Sequence, residues 1–383
     1  TQPNTSRRNT LLRTTRMANT KIDVTKLTKE RTKCPQPKPE KSTLVFGKTF
    51  TDHMLEVDWD AKDGWGAPRI VPFHNLELSP AASVFHYAIE CFEGMKAFRG
   101  PDGRPRMFRP ELNMARMNRS GQRVGLPAID PEGLLQCIKE LVLYDQDWIP
   151  EGEGYSLYIR PTYISTHPAV GVTLPQNAKI FVILSPVGPY YATGWKPVKL
   201  LCNEGEYCRA WPGGSGCYKV GGNYAITLVP QREAAQKGYN QVLWLFNDKV
   251  TEVGTMNFFV LWINEQGEKE LVTSPLATDM ILPGVTRGST VELARKWGEF
   301  KVSERDYTMT EVAKAIDEGR LLEAFGTGTA AVVSPVCCIS YKGKEYHIPG
   351  DGIGPVTKRV YDEIEGISYG KPEFAGHPWV HVL

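Results

Sequence analysis

Residues 251–273, TEVGTMNFFVLWINEQGEKELVT, are the segment that most restricts the possible folds. An apolar run is followed by the turn-forming pair Gln266-Gly267 and by a second strand-like run, which is typical of an antiparallel strand pair. QVLWLF, at 241–246, has the same strand-like composition. Amphipathic helical patterns occur before and after these runs, so the sequence predicts a mixed α/β fold of the α+β type.

Turn-forming and aromatic residues in GPYYATGWKP, at 188–197, predict a boundary between two domains. A chain of 383 residues is long enough to form two hydrophobic cores. We therefore expect a small N-terminal α/β domain over 43–187, a linker at 188–197 and a large C-terminal domain over 198–383. Residues 1–42 are predicted to be a disordered basic extension, because they end in the Pro- and Lys-rich CPQPKPEKS.

Basic residues are concentrated in that extension. Residues 1–41 hold eleven Lys or Arg and only three acidic side chains, although the net charge of the whole chain is +2. The remainder is therefore acidic, which argues against nucleic acid as a partner. The first twenty residues are rich in Thr, Asn and Arg and contain no acid, a composition typical of a mitochondrial transit peptide. The alternative is a plain basic extension, or upstream sequence with Met17 as the start, and a cytoplasmic location.

Two classes of partner are not expected. No apolar run reaches the length that crosses a bilayer, so we expect no membrane partner. The eight cysteines form no CxxC and no Cys/His pattern with zinc spacing, so we expect no metal and predict free thiols in an intracellular protein.

Lys219 stands in GCYKVGGNYAI, among glycines, tyrosines and small apolar residues, with no acid in the window. Burial of an unpaired lysine favours the neutral amine, which attacks aldehydes and forms Schiff bases. The alternative is a lysine whose stem packs while its head reaches water. The surrounding glycines let the backbone approach a ligand closely, which favours the functional interpretation.

The segment FGTGTAA, at 325–331, nominally fits the GxGxx(G/A) dinucleotide motif. We reject that interpretation, because Pro335 arrives before a helix can form and too little chain follows for a βαβ domain. A loop with free backbone N–H groups and the hydroxyls of Thr327 and Thr329 remains. Such a loop can hold one phosphate, although a plain glycine turn is an equally good interpretation.

Two further positions suggest ligand contacts. In ILPGVTRGSTVELA, Gly284, Val285 and Thr286 begin a predicted helix, where unpaired N–H groups attract an anion, although ordinary capping is the commoner case. Glu252 adjoins an apolar strand and needs a partner such as a protonated ring nitrogen, unless it is an exposed acid paired with a lysine. Pyridoxal 5'-phosphate has an aldehyde, a phosphate and a basic ring nitrogen, so this one cofactor accounts for all four features.

The sequence resembles the eukaryotic branched-chain amino-acid aminotransferases, which are fold-type IV pyridoxal-phosphate-dependent enzymes with two domains. The resemblance runs from about Leu44 to Tyr369. It is carried by LVFGKTFTDHML, HYAIECFEGMKAFRG, LNMARM, SLYIRP, KVGGNY, QVLWL, TEVGTMN, LPGVTR, WGEFKVSER and GTGTA. It implies a homodimer that reversibly transfers the amino group of L-leucine, L-isoleucine or L-valine to 2-oxoglutarate, giving branched-chain 2-oxo acids and L-glutamate.

Two other functions stay open. The first is another fold-type IV enzyme, such as a D-amino-acid aminotransferase or an aminodeoxychorismate lyase. The second is a sensor or scaffold that keeps the fold without turnover.

The resemblance also implies roles for individual residues. Lys219 is the catalytic residue: it carries the cofactor in Schiff-base linkage and moves the substrate proton. The other implied cofactor contacts are Arg116, Val285, Thr286, Gly328 and Thr329 around the phosphate, Tyr224 at the phenolic oxygen, Glu252 at the ring nitrogen, and Leu282 and Thr255 beside them.

The implied substrate site has two parts. Thr255, Tyr224 and the N–H of Ala330 receive the α-carboxylate, and Arg160 receives the γ-carboxylate of glutamate or 2-oxoglutarate. The aliphatic side chain is surrounded by Phe46, Tyr87, Phe92 and Tyr158, by Val170 and Val172 of the neighbouring subunit, and by Gln241 in support.

One departure from the family concerns redox regulation. Vertebrate members carry a CxxC just after GTGTA, and the corresponding positions here are Ala331 and Ser334. We therefore expect no switch of that type, although Cys337 and Cys338 lie nearby.

Overall fold

The computed structural model describes residues 21–189 and 195–383, and two large β-sheets dominate it. The first sheet has ten strands, which lie in the order 1-4-2-9-8-6-7-19 with β3 beside β2 and β5 beside β8. Its strands are β1 (Thr28–Lys29), β2 (His53–Asp60), β3 (Gly64–Trp65), β4 (Arg69–Pro72), β5 (Glu90–Phe92), β6 (Met95–Arg99), β7 (Pro105–Phe108), β8 (Ser156–Ser165), β9 (Asn177–Val187) and β19 (Val380–Val382). All of its pairs are antiparallel except β1 with β4.

The second sheet has nine strands in the order 12-11-10-17-16-13-14-15, with β18 beside β17. Its strands are β10 (Val198–Cys202), β11 (Gln241–Phe246), β12 (Lys249–Val253), β13 (Met256–Ile263), β14 (Lys269–Thr273), β15 (Lys301–Glu304), β16 (Leu321–Gly328), β17 (Val332–Tyr341) and β18 (Lys344–His347). The mixture of parallel and antiparallel pairs agrees with the expected α+β class.

Helices cover both sheets. They are α1 (Ser83–Tyr87), α2 (Pro110–Arg123), α3 (Pro131–Tyr144), α4 (Gly222–Ala225), α5 (Leu228–Gln236), α6 (Val285–Trp297), α7 (Met309–Asp317) and α8 (Pro355–Tyr369). α2 begins at Pro110, whose missing N–H costs nothing at a helix start. α3 buries Leu134, Ile138 and Leu141 on one face, as its periodicity predicts. Among the described residues, no helix combines the length and the apolar character needed to span a membrane.

The structure differs from the sequence-based expectation at the N-terminal extension. Residues 21–42, the described part of that extension, contact the first sheet rather than being disordered: Ile22 is buried, β1 pairs with β4, and the Thr32 N–H donates to His53 Nε2 at 2.9 Å. β9 alternates between buried and half-exposed positions up to Leu184. β19 returns from the C-terminus to the first sheet, where its backbone extends the edge strand β7. Most of the expected linker, 190–194, lies outside the described residues.

The eight cysteines all lie within the described residues, and none of them is in a disulfide bond there. Cys338 lies in β17 beside Glu345 and His347 of β18. Burial, followed by the nearby Glu345 carboxylate, raises the pKa of the Cys338 thiol to about 11. A thiol with that pKa is mostly protonated near neutral pH and is a poor nucleophile.

The stability of the second sheet at acid pH depends on the carboxylate of Glu270. It is buried in β14 and accepts hydrogen bonds from Arg305 Nη2 at 3.1 Å and from Trp262 Nε1 at 2.8 Å. Burial alone would raise its pKa, but the bonds from Arg305, Ser303 and Trp262 hold the pKa at about 2, below the ordinary 4.5. A depressed carboxylate pKa stabilises the fold above the ordinary value, and that stability is lost as the pH falls towards the folded-state value.

We therefore expect Glu270→Gln to lower the free energy of unfolding at neutral pH and to flatten its decline between pH 4.5 and about 2. Urea unfolding at several pH values measures both effects, with Glu373→Gln as the control at an exposed carboxylate. An acid profile identical to that of the unmodified protein would contradict this assignment.

Candidate active site

Lys219 lies in the loop that leads into α4, and residues of α2 and β5 hold it in place. Its backbone N–H donates to Ser120 Oγ of α2 at 2.8 Å, and its carbonyl accepts from the Phe92 N–H of β5 at 3.1 Å. Its half-buried amine donates to the Tyr224 hydroxyl at 2.9 Å and lies 4.8 Å from the centre of the Phe92 ring. The amine therefore lies beside one hydroxyl and two aromatic rings, those of Phe92 and Tyr224.

Tyr224 completes this corner of the site. It stands on α4, whose backbone begins with the Gly221 carbonyl accepting from the Tyr224 N–H at 2.9 Å. Its ring meets the Phe92 ring edge-on, with 4.9 Å between centroids. This arrangement places a hydroxyl and an amine side by side.

Glu252 is buried in β12, and its carboxylate is held by three donors. Arg209 Nη2 lies 2.6 Å from Oε2, while the Leu282 N–H and Asn257 Nδ2 donate to Oε1 at 2.8 and 3.1 Å. Burial raises the pKa of Glu252 above its ordinary value, and the Arg209 guanidinium and the Leu282 N–H oppose that rise. The acid is neither exposed nor paired with a lysine, so the simpler interpretation of it is wrong.

Arg116 is buried in α2 and forms a two-point ion pair with Glu93. Nε and Nη2 of Arg116 each lie 2.7 Å from an oxygen of that carboxylate, and Nη1 donates to the Pro283 carbonyl at 2.9 Å. Pro283 immediately precedes the start of α6, so the guanidinium is fixed next to that helix end. Burial would raise the pKa of Glu93, but Arg116 holds it below the ordinary value.

A cavity at the start of α6 brings three predicted phosphate contacts together. Val285, Thr286 and Thr329 line it with Gly94 and Lys96. Gly284, the N-cap of α6, offers no side-chain hydrogen bond to the first N–H groups of this 13-residue helix. Gly328 precedes Thr329 in the chain and packs tightly against Met256, whose Cγ would lie 3.0 Å from a Cβ added to the glycine. Uncapped N–H groups at a positive helix end fit an anion such as a phosphate.

Two of the three predicted α-carboxylate contacts, Thr255 and Ala330, lie on turns, and the third, Tyr224, lies on α4. Thr255 is exposed in the turn between β12 and β13, beside Gly254, and Gln241 Oε1 packs against that glycine. Ala330 follows β16, and its carbonyl accepts from Lys96 Nζ at 2.8 Å. Gln241 thus supports the first turn, and Lys96 fixes the second.

Arg160 lies in β8 among the predicted side-chain contacts. Its Nη2 donates to the Tyr158 hydroxyl at 3.0 Å, and its guanidinium carbon lies 4.7 Å from the centre of the Phe92 ring. Phe46 meets Tyr158 edge-on, with 4.8 Å between centroids. These four residues form one aromatic wall that contains a single cation.

Tyr87, Val170 and Val172 are placed elsewhere. Val170 and Val172 are 66% and 81% exposed, and the Tyr87 hydroxyl donates to the Val170 carbonyl. The structure therefore groups Tyr87 with the two valines on an exposed surface rather than with the Arg160 wall.

Sequence reasoning missed four side chains that fix this site: Glu93, Lys96, Arg209 and Asn257. Asn257 bonds both Glu252 and the Leu282 carbonyl. Each of the four is a polar residue in a strand, a loop or a quoted motif. The sequence around it does not show which residue it contacts. The donor set as a whole fits pyridoxal phosphate, because it offers an amine, an uncapped helix end and a buried carboxylate.

Comparisons with known proteins show the family to which this chain is similar. The family model for amino-transferase class IV matches residues 90–339. A branched-chain-amino-acid aminotransferase of Dictyostelium discoideum is 57% identical over 91% of this chain and 93% of its own length. A mitochondrial relative from Schizosaccharomyces pombe and a cytosolic one from Mus musculus are each 54% identical, over 90% and 88% of this chain and 82% and 88% of their own lengths.

Solved structures give the same result for the fold. The T.th. branched-chain amino acid aminotransferase complexed with N-(5'-phosphopyridoxyl)-L-glutamate is 26% identical, with a TM-score of 0.65, over 85% of this chain and 97% of that one. The same enzyme with pyridoxamine 5'-phosphate has a TM-score of 0.68 at 25% identity, over 87% and 99% of the two chains.

Proposed function

This chain belongs to the class IV aminotransferase family, and we propose that it is a branched-chain amino-acid transaminase that uses pyridoxal 5'-phosphate. The amino group of L-leucine, L-isoleucine or L-valine passes to 2-oxoglutarate, and L-glutamate is formed. The observation that carries the proposal is the 2.9 Å contact of Lys219 Nζ with the Tyr224 hydroxyl, inside a site that also holds a buried Glu252.

The geometry supports the proposed set of residues that would hold the cofactor. The uncapped start of α6 and the hydroxyl of Thr329 would bind the phosphate, with Arg116 beside them, and Glu252 would bind the ring nitrogen. When bound, pyridoxal phosphate supplies an aldehyde for amino groups and a ring that accepts the electron pair left at the substrate Cα.

The chain's own residues perform the remaining tasks. Lys219 Nζ would take the proton from the substrate Cα as general base and then, as general acid, would give it to the carbon that carries the cofactor's aldehyde. Tyr224 keeps that amine in place through its hydroxyl. Thr255 and the Ala330 N–H orient the α-carboxylate, while Phe46, Phe92 and Tyr158 exclude water from the aliphatic side chain.

A visible-range spectrum before and after addition of L-leucine tests this proposal. We expect a bound-cofactor band that L-leucine converts and that 2-oxoglutarate restores, whereas D-leucine leaves it unchanged. Conversion by D-leucine alone would indicate a different fold-type IV activity. A protein without cofactor, or with a cofactor band that neither leucine changes, would overturn the proposed enzyme.

We also propose a homodimer, in which the surface formed by Tyr87, Val170 and Val172 faces the partner's site. Large apolar side chains of this kind are rarely left exposed together on a monomer. Val172→Glu is expected to shift the protein from dimer to monomer in size-exclusion chromatography, and Glu132→Gln, at an exposed helix position, should not. A monomeric unmodified protein would contradict the assignment.

The basic, acid-free N-terminal residues support a mitochondrial location. Both mitochondrial and cytosolic forms occur among the relatives. Cell fractionation of the full chain tests this, and recovery in the cytosol alone would contradict it.

A further inference from the structure

Arg160 poses a chemical problem for a site that accepts both leucine and glutamate. Its guanidinium lies over the Phe92 ring and bonds the Tyr158 hydroxyl, but its Nε is buried with no hydrogen-bond partner among the described residues. A guanidinium with an unpaired N–H suits the γ-carboxylate of glutamate. When an aliphatic side chain lies beside it instead, the guanidinium loses water and gains no hydrogen bond in return.

Glu90 is the acidic side chain placed to compensate it. It begins β5, which pairs with β8, the strand that carries Arg160, in a register that sets Glu90 opposite Ile164. Phe92, two residues along, lies under the Arg160 guanidinium. Side chains two apart on a strand share a face, so Glu90 and the Phe92–Arg160 contact lie on the same side of the sheet.

The Glu90 carboxylate is fixed against the loop that carries Lys219. A Cβ added to Gly221 would overlap Glu90 Oε1, so the carboxylate rests directly on that glycine. The adjoining Val220 pairs with Cys91 in an isolated bridge. Burial raises the pKa of Glu90, and the Gly221 N–H and the Arg160 charge oppose that rise. Glu90 thus feels the charge of Arg160 without forming an ion pair with it.

We propose that Glu90 is the counter-charge that lets Arg160 serve both half-reactions, and that it sets the balance between branched-chain and dicarboxylate substrates. It partly neutralises Arg160 while an aliphatic side chain fills the wall. It also weakens the hold of Arg160 on the γ-carboxylate of glutamate or 2-oxoglutarate. Glu90 is a positioning and specificity residue in this assignment, which rests on the proposed function.

Glu90→Gln tests the proposal, because the amide oxygen can still accept the Gly221 N–H while the charge is removed. We expect the KM for L-glutamate to fall and the KM for L-leucine to rise, each by roughly 3- to 10-fold, the range for interactions between partly screened charges. Opposite directions are decisive, because a residue that merely supports the Lys219 loop would change both substrates in the same direction.

Two further variants serve as controls for the loss of the Glu90 charge. Glu90→Asp retains the charge, so its glutamate-to-leucine KM ratio is expected to stay near that of the unmodified enzyme even if kcat falls. Glu132→Gln, which removes an equal charge from the exposed first turn of α3, should leave the ratio unchanged. A parallel change in both KM values, or no change in either with Glu90→Gln, would overturn the proposal.

Failure of the proposed function is distinguished separately. It would appear as a lack of leucine-to-2-oxoglutarate transfer in the unmodified holoenzyme. The Glu90 assignment is judged only on the ratio of KM values in an enzyme that performs that transfer.

Discussion

Replacement of Lys219 by alanine is expected to abolish transamination, with a loss of at least about 1000-fold in kcat, because general acid–base catalysis alone contributes roughly 10² to 10⁴. The variant also removes the only side chain of the KVGGNY loop that can bind an aldehyde covalently. Its backbone contacts with Ser120 and Phe92 involve main-chain atoms and are retained. The fold and the phosphate contacts should therefore survive the change.

Glutamate formation from L-leucine and 2-oxoglutarate measures the loss directly. Lys237→Ala, at the exposed end of α5, is the matched control and should keep normal activity. Borohydride reduction of the unmodified holoenzyme, followed by peptide mapping, should find the pyridoxyl group on the peptide that contains Lys219. Near-normal turnover in Lys219→Ala, or a label on another lysine, would remove the central assignment.

The hairpin and the helices were accessible from the sequence because their signals are local. β13 and β14 follow from an apolar run, a turn at Gly267 with φ of 78°, and a second run. The segment also contains β12, since Gly254 at φ of 54° makes a tight turn that the apolar pattern does not show. The contact of Lys219 with Tyr224 is likewise local, because the two residues are five positions apart in the sequence.

The partners of the buried charged residues could not be predicted from local sequence in this way. Lys96 donates to the Ala330 carbonyl, which is 234 positions away in the sequence. Arg209 lies in a loop and pairs with Glu252 of β12. A charged residue that is buried must find a partner, but composition does not say which one. The packed N-terminal segment was missed for a related reason, because a two-residue strand and one backbone bond to His53 leave no periodic signal.

Replacement of Glu93 by alanine is expected to be the most destabilising single change in the site. The carboxylate is fully buried and accepts from Arg116 twice, at 2.7 Å, and from Asn113 Nδ2 at 2.9 Å. Its removal leaves a buried guanidinium without its counter-charge, and breaking such a pair costs about 3–5 kcal/mol of the free energy of unfolding. Chemical denaturation at fixed protein and cofactor concentrations measures this loss.

Lys29 and Glu140 form the matched control, because their ion pair has the same 2.7 Å separation but lies at the surface. Glu140→Ala should cost no more than about 1 kcal/mol, since water already solvates both charges. Because Arg116 would lose the partner that orients it towards the start of α6, Glu93→Ala should also weaken the binding of pyridoxal phosphate. Equal losses of stability in Glu93→Ala and Glu140→Ala would show that water or another residue compensates the Arg116 guanidinium. The assignment of Arg116 as an oriented phosphate contact would then be wrong.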